Sequence, residues 1–149
     1  MTKESPLKTL IGLAQDDVDT AAQRLGRLQR ERGEAEAQLQ ALITYRDEYH
    51  ARFTESARAG MAAGSVRNFQ AFIDTLDAAI GQQQRMLEQA DARLEAAKPE
   101  WRRQKQKLGS YEVLQARSEA TEARKSARRE QRDADEHAAR VLRMRASNP

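Results

Sequence analysis

The sequence contains no cysteine and has few aromatic residues, few prolines and no long apolar run. The lack of cysteine excludes a disulfide framework, thiolate metal ligands and a thiol nucleophile. No apolar run approaches the roughly 20 residues that a membrane-spanning helix needs. The first residues, MTKESPLK, lack the apolar core of a signal peptide. We therefore expect a soluble protein without a membrane span that stays where it is made, which is compatible with the cytoplasm.

The composition is typical of long helices. Aromatic residues make up 5% of the chain and charged residues 33%, while the 39% apolar fraction is mostly alanine and leucine. Such a chain is too polar for a thick globular core, and its abundant Ala, Leu, Glu, Gln, Arg and Lys are strong helix formers. The 149 residues fit one domain, 1–149. The 26 basic and 23 acidic residues are mixed along the chain, which favours a solvated coiled-coil face over a nucleic-acid footprint.

Two segments of nearly equal length carry apolar residues at alternating steps of four and three. Ser5-Pro6 predicts the start of the first, because serine caps free amides and proline suits the first helical position. Its seam positions are Leu7, Ile11, Ala14, Val18, Ala21, Leu25, Leu28, Arg32, Ala35, Leu39, Leu42, Arg46, Tyr49 and Phe53. The second seam comprises Phe69, Ile73, Leu76, Ile80, Gln83, Leu87, Ala90, Leu94, Ala97, Trp101, Gln104, Leu108 and Tyr111. This spacing is the heptad pattern of supercoiled helices.

Gly60 and Gly64 lie between the two seams and predict a turn. Folding back there pairs positions whose numbers add up to about 126. The expected pairs are Phe53 with Ile73, Leu39 with Leu87, Val18 with Leu108, Arg32 with Leu94, and Trp101 with Ala21 and Leu25. A parallel homodimer would instead place Arg32 against its own copy, an uncompensated like-charge layer. The hairpin is therefore favoured, and a dimer of hairpins stays open.

We expect an all-α fold, a long antiparallel coiled-coil hairpin of two helices with a charged helical C-terminal extension. The expected bounds are about 6–58 for helix one, 59–66 for the turn, 67–117 for helix two and 118–149 for the extension. Residues 118–140 contain no large apolar side chain, so the extension has little to bury. Pro99 lies inside helix two, where it removes one backbone hydrogen bond and predicts a kink.

No residue pattern points to catalysis, to a cofactor or to a metal. His50 and His137 are far apart, and neither has a partner at metal-ligand spacing. The glycine pair Gly60 and Gly64 lacks the following lysine and hydroxyl residue of a phosphate-binding loop. We therefore expect a non-enzymatic protein that binds other proteins.

Near the turn, each helix carries more apolar surface than a two-helix hairpin can bury. One stripe per helix faces the other helix, and the other stripe is left for water or a partner. The name second stripe is used for this surplus apolar surface on both helices together. Its residues are Gln38, Leu42, Tyr45 and Tyr49 on helix one, and Phe72, Leu76, Ala79 and Gln83 on helix two. Because rigid aromatic rings are favoured binding anchors, the second stripe predicts a protein-binding surface.

These residues also carry a resemblance to a known family. The chain resembles the flagellar export protein FliJ family over about residues 7–117. The resemblance lies in Ala21-Ala22 with Leu25-Gly26, in Tyr45 to Tyr49, in Asn68 to Ile73, and in Trp101 through Lys105, Lys107 and Leu108 to Leu114-Gln115.

The resemblance implies a component of the flagellar type III export apparatus at the cytoplasmic face of the inner membrane. Members are antiparallel coiled coils that insert into the ring of the hexameric export ATPase, promote its assembly and link it to the export gate. They also engage export chaperones. By this resemblance, all eight residues of the second stripe contact the cytoplasmic domain of the gate protein. Gln83 stands where the family can have histidine, and Pro99 departs from the family's helix-friendly pattern.

Two other functions compete with this interpretation. A general export chaperone or coiled-coil tether would use the same apolar stripe to hold amphipathic helices of secreted proteins. A basic helical nucleic-acid binder is disfavoured by the mixed charge signs and by the absence of a basic stripe.

Overall fold

A computed structural model describes residues 5–148 of the chain, which form two α-helices. Helix α1 spans Pro6–Ala59 and helix α2 spans Ala63–Ser147. The helices pack against each other as an antiparallel hairpin, which confirms the all-α fold class predicted from the sequence. Neither helix, within the part of the chain described, contains a stretch apolar enough to cross a membrane.

Local sequence sets both ends of α1. The Ser5 hydroxyl accepts a hydrogen bond from the Leu7 amide at 3.2 Å, as predicted for a helix start. At the other end, Gly60 adopts a φ of 98° and its amide donates to the Ala57 carbonyl at 3.2 Å. Glycine adopts this left-handed conformation without the steric cost that a Cβ would add.

The turn comprises only residues 60–62, inside the expected range of 59–66. Helix α2 therefore starts at Ala63, several residues earlier than expected, and includes Gly64 and Ser65. It also continues without interruption through Pro99 and through the charged extension to Ser147. In the extension, all residues from 116 to 140 are exposed.

Contacts between residues divide the chain into two units, which we describe separately. The first, Asp17–Gln104, contains the turn and its buried core. Leu28, Leu94 and Ala97 form a buried cluster there, with Leu25 partly buried against it. Ile73, Leu76 and Ile80 continue the buried face of α2 toward the turn. The second unit contains the residues up to Asp16 and those from Lys105 onward. Among its described residues, the buried apolar one is Ala14, which is 2% exposed.

Within residues 17–104, the pairing of the two helices at Phe53 and Arg32 differs from the predicted one by about one helical turn. Phe53 packs against Phe69, with ring centroids 5.5 Å apart, rather than against Ile73. Arg32 reaches Asp91 rather than Leu94. The cause is the short turn: since α2 starts early, Phe53 and Arg32 meet residues about three to four positions earlier in α2 than expected. Trp101, in contrast, lies beside Leu25 as predicted.

The Arg32 guanidinium joins both helices. Its Nε donates to Asp91 at 2.9 Å and its Nη1 to Glu36 at 3.1 Å. The hydrogen bond to Asp91 and the charge of Glu36 raise the pKa of Arg32 above its usual value. A raised arginine pKa favours the folded state at every pH below its ordinary value, and this contribution is lost only as the pH rises through the raised value. The arginine therefore stays charged at any working pH. Since these side chains are well exposed, the ion pairs stabilise the fold only slightly.

Trp101 is half-buried, which limits its expected contribution to stability. We expect Trp101→Ala to lower the free energy of unfolding by about 1–2 kcal/mol, below the ~3–5 kcal/mol typical of a fully packed ring. Urea unfolding followed by circular dichroism measures this difference. A loss above about 3 kcal/mol would show that the ring is fully packed.

Candidate functional site at the aromatic cluster

Five aromatic rings meet next to the turn, where both helices bring them together. We call Tyr45, Tyr49, Phe53, Phe69 and Phe72 the aromatic cluster. Tyr49 lies at its centre, with ring centroids 4.6 Å from Phe72 and 5.1 Å from Phe69. Tyr45 meets Phe72 edge-on at 6.2 Å, a favoured geometry between aromatic rings. The cluster therefore joins α1 to α2 and also forms a continuous aromatic surface.

Two rings of the cluster are exposed. Tyr45 is 43% exposed and Phe72 is 38% exposed, whereas Tyr49, Phe53 and Phe69 are half-buried. The exposed pair lies side by side because the two rings contact each other across the helix interface. Two partly exposed aromatic rings held next to each other on helices form the kind of surface that anchors a protein partner.

The second stripe is only partly a surface. Gln38 is exposed like Tyr45 and Phe72, while Leu42, Tyr49 and Ala79 are half-buried. Leu76 and Gln83, however, are 7% and 8% exposed and belong to the buried face of α2. The expectation that the second stripe faces water or a partner is therefore wrong for these two, which also belong to the seam predicted for α2. Leu76 and Gln83 also occupy heptad positions, and this position places them toward α1.

Gln83 is the buried polar residue of this region. Its Nε2 donates to the Ala35 carbonyl at 3.1 Å and to the Gln38 side-chain oxygen at 3.2 Å. Both hydrogen bonds cross from α2 to α1, so they fix the pairing of the two helices at this level. Through the same contact, Gln83 orients Gln38, whose side chain reaches the surface.

Charged groups surround the aromatic cluster. The Arg52 guanidinium lies over the Tyr49 ring, 5.7 Å from its centroid. Arg46 donates to Asp47 at 3.1 Å and to Asp77 across the interface at 3.4 Å. The hydrogen bond to Asp47 is the largest cause that raises the pKa of Arg46 above its usual value. The aromatic surface therefore has a charged rim and an apolar centre, the usual arrangement of a protein interface.

One surface feature was missed by the sequence reasoning, which placed Trp101 in the seam. The ring lies instead beside a groove between the two helices, lined on α1 by Ala22, Leu25, Gly26 and Gln29. The sequence did contain a signal for this groove. The small residues Ala22 and Gly26 lie one helical turn apart, next to Ala21 and Leu25, the expected partners of Trp101.

Comparisons with known proteins match this chain over nearly its full length. The family model for the flagellar FliJ protein matches residues 2–147. The chain belongs to the FliJ family. The flagellar FliJ protein of Salmonella typhi is 36% identical over 141 residues, which cover 95% of this chain and 96% of that protein. The FliJ protein of Escherichia coli K12 is 35% identical with the same coverage. The resemblance found from the sequence is thereby confirmed, and the chain is a component of flagellar protein export.

A solved structure shows the same fold. The YscO homologue CT670 from Chlamydia trachomatis aligns with a TM-score of 0.66, covering 99% of this chain and all of that chain. Its sequence is 15% identical, so the likeness concerns the helical fold alone.

Proposed function

We propose that this FliJ-family chain is a coiled-coil stalk that inserts into the ring of the hexameric export ATPase, promotes ring assembly and couples the ring to the export gate. The observation that supports the gate contact is the exposed pair Tyr45 and Phe72. Both rings keep a large part of their surface open to solvent, and exposed aromatic rings are favoured anchors for a protein partner. Family membership supports a place in the export apparatus. Export chaperones are further partners in this proposal, and the protein acts at the cytoplasmic face of the inner membrane at the flagellar base.

The proposed stalk acts by contact and not by chemistry. The exposed helical extension, in which alanine alternates with charges of both signs, offers a polar surface to the inside of a protein ring. A rod that binds the assembled ring more tightly than free subunits shifts the equilibrium toward the hexamer by mass action. Nucleotide binding and hydrolysis stay with the ATPase subunits.

Ring assembly gives the direct test. We expect the share of hexameric ATPase, measured by analytical ultracentrifugation, to rise as the chain is added, together with the ATPase rate. The variant Phe72→Ala is the control, because it alters the proposed gate surface and is expected to promote assembly as well as the wild type does. An unchanged hexamer share at a saturating concentration of the chain would contradict the stalk proposal.

A general export chaperone or coiled-coil tether is the second candidate. The apolar surface around Tyr45 and Phe72 favours it, since such a surface also accepts amphipathic helices of secreted proteins. Affinity purification from a flagellated cell lysate separates the two functions. The stalk retains the ATPase and the gate protein, whereas the tether retains exported substrates.

A further inference from the structure

A groove distinct from the aromatic cluster lies between the two helices within residues 17–104. We call it the Trp101 groove; it is lined by Ala22, Leu25, Gly26 and Gln29 of α1 and by Lys98, Trp101 and Arg102 of α2. Its volume is about 460 Å³. None of the eight residues of the second stripe lines it. The groove is therefore a separate surface, and the inference drawn from it does not depend on the proposed gate contact.

Small residues make the groove hollow. Ala22 and Gly26 lie one turn apart on α1 and leave space beside the larger Leu25 and Trp101. A Cβ added at Gly26 would come within 3.5 Å of the Arg30 guanidinium, the far end of a flexible side chain. An apolar side chain from a partner can therefore rest on Gly26 and against Trp101 without moving the backbone.

The charges along the groove are of one sign. A second depression continues the surface around Ala22 and Gly26 and adds Arg27 and Arg30 to its lining. With Lys98 and Arg102, four cationic side chains line the two depressions, and no carboxylate is among the lining residues. Lys98 pairs with Glu95 at 2.6 Å. Arg27, Arg30 and Arg102, in contrast, join no ion pair within the described part of the chain.

We propose that the Trp101 groove binds an acidic amphipathic helix of another protein. The groove between α1 and α2 can hold a third helix that lies along both of them. In this mode of recognition, an amphipathic helix places its apolar face in a hydrophobic groove. Apolar residues of the bound helix contact Leu25, Gly26 and Trp101, and its carboxylates face the arginines. Charge complementarity of this kind selects the partner and orients it.

Two other occupants fit less well. Single-stranded nucleic acid is bound by stacking successive bases on several aromatic rings, whereas this groove offers the one ring of Trp101. A second copy of this chain, placed with its own groove on this one, would bring four cations against four cations.

Trp101 is the single tryptophan of the chain, so its fluorescence reports directly on the groove. The probe is a synthetic helical peptide of about 18 residues with leucine at i, i+3, i+4 and i+7, glutamate at the flanking positions and no aromatic residue. Titration of the full-length chain with this peptide is expected to shift the Trp101 emission to shorter wavelength and to saturate. The matched peptide with lysine in place of glutamate is expected to produce no shift.

Four variants place the binding in the groove. Gly26→Leu fills the groove, and Arg102→Glu reverses a charge at its edge; each is expected to weaken binding roughly ten-fold. Gly33→Leu and Arg67→Glu are the matched controls, because both residues are exposed on the same helices and outside the groove, and they are expected to bind normally.

Three results would overturn the proposal. One is equal binding of the glutamate and lysine peptides, which would show apolar contact without charge selection. Another is normal binding by Arg102→Glu together with Gly26→Leu. The third is a preferred occupant of a different kind, seen as tighter binding of a single-stranded RNA oligonucleotide or as an emission shift with protein concentration alone. Failure of the ring-assembly test leaves these measurements unaffected, so the two proposals fail independently.

Discussion

Replacing Leu94 with alanine is expected to lower the free energy of unfolding by about 2–4 kcal/mol. Leu94 is 6% exposed and packs with Leu28 and Ala97 in the buried cluster of the unit that contains the turn. The truncation removes apolar area from that cluster and leaves a cavity in the helix interface, which adds to the loss. Because few large side chains are buried in the described part of the chain, such a loss is a large share of the total stability.

The matched control is Leu142→Ala on the same helix. Leu142 is 65% exposed, so its truncation is expected to change the free energy of unfolding by less than about 0.5 kcal/mol. Both variants exchange leucine for alanine inside α2, which makes the change in intrinsic helix propensity the same. Urea unfolding followed by circular dichroism therefore isolates the effect of burial. Equal midpoints for the two variants would show that Leu94 does not stabilise the helix interface.

The sequence predicted the fold class because the heptad pattern is a property of the chain itself. Alternating steps of three and four place Ile73, Ile80 and Leu94 on one face of α2, and all three are buried. The position of the turn followed from glycine, since Gly60 adopts the left-handed backbone conformation at the end of α1.

The pairing between the helices was predicted less accurately. A heptad pattern fits its partner nearly as well after a shift of one turn, so the length of the turn decides the pairing. Ala62 and Ala63 gave no signal that α2 starts before Gly64. The same shift explains why Arg32 meets Asp91 and not Leu94, which brings opposite charges together across the interface.

The candidate site was predicted in part, because periodicity locates a stripe but does not measure its exposure. Tyr45 and Phe72 are exposed as expected, whereas Leu76 and Gln83 are buried because their heptad positions face α1. The Trp101 groove was missed for a related reason. Its hollow depends on Ala22 and Gly26 of α1 lying beside a ring of α2, and this proximity exists only after the helices pair.

The exposed rings, and not the core, are expected to carry binding to the export gate. Phe72→Ala and Tyr45→Ala each remove a ring that is 38% or 43% exposed, so either change is expected to cost about 1 kcal/mol of folding free energy, mostly from the lost ring contact. In binding, each is expected to cost roughly 2 kcal/mol, a loss of affinity of about 30-fold. Affinity is measured against the purified cytoplasmic domain of the gate protein, and stability by thermal unfolding.

Ile80→Ala is the core control for these variants. Ile80 is 5% exposed on the same helix, and its truncation is expected to lower stability by about 2–4 kcal/mol while the folded fraction binds the gate normally. The two classes of variant are thus expected to behave in opposite ways. Truncating the buried Ile80 lowers stability and spares binding, whereas truncating an exposed ring lowers binding and has little effect on stability. If Phe72→Ala and Tyr45→Ala unfold at lower temperature while their folded fraction binds normally, the rings serve the helix interface. The partner surface then lies elsewhere on the chain.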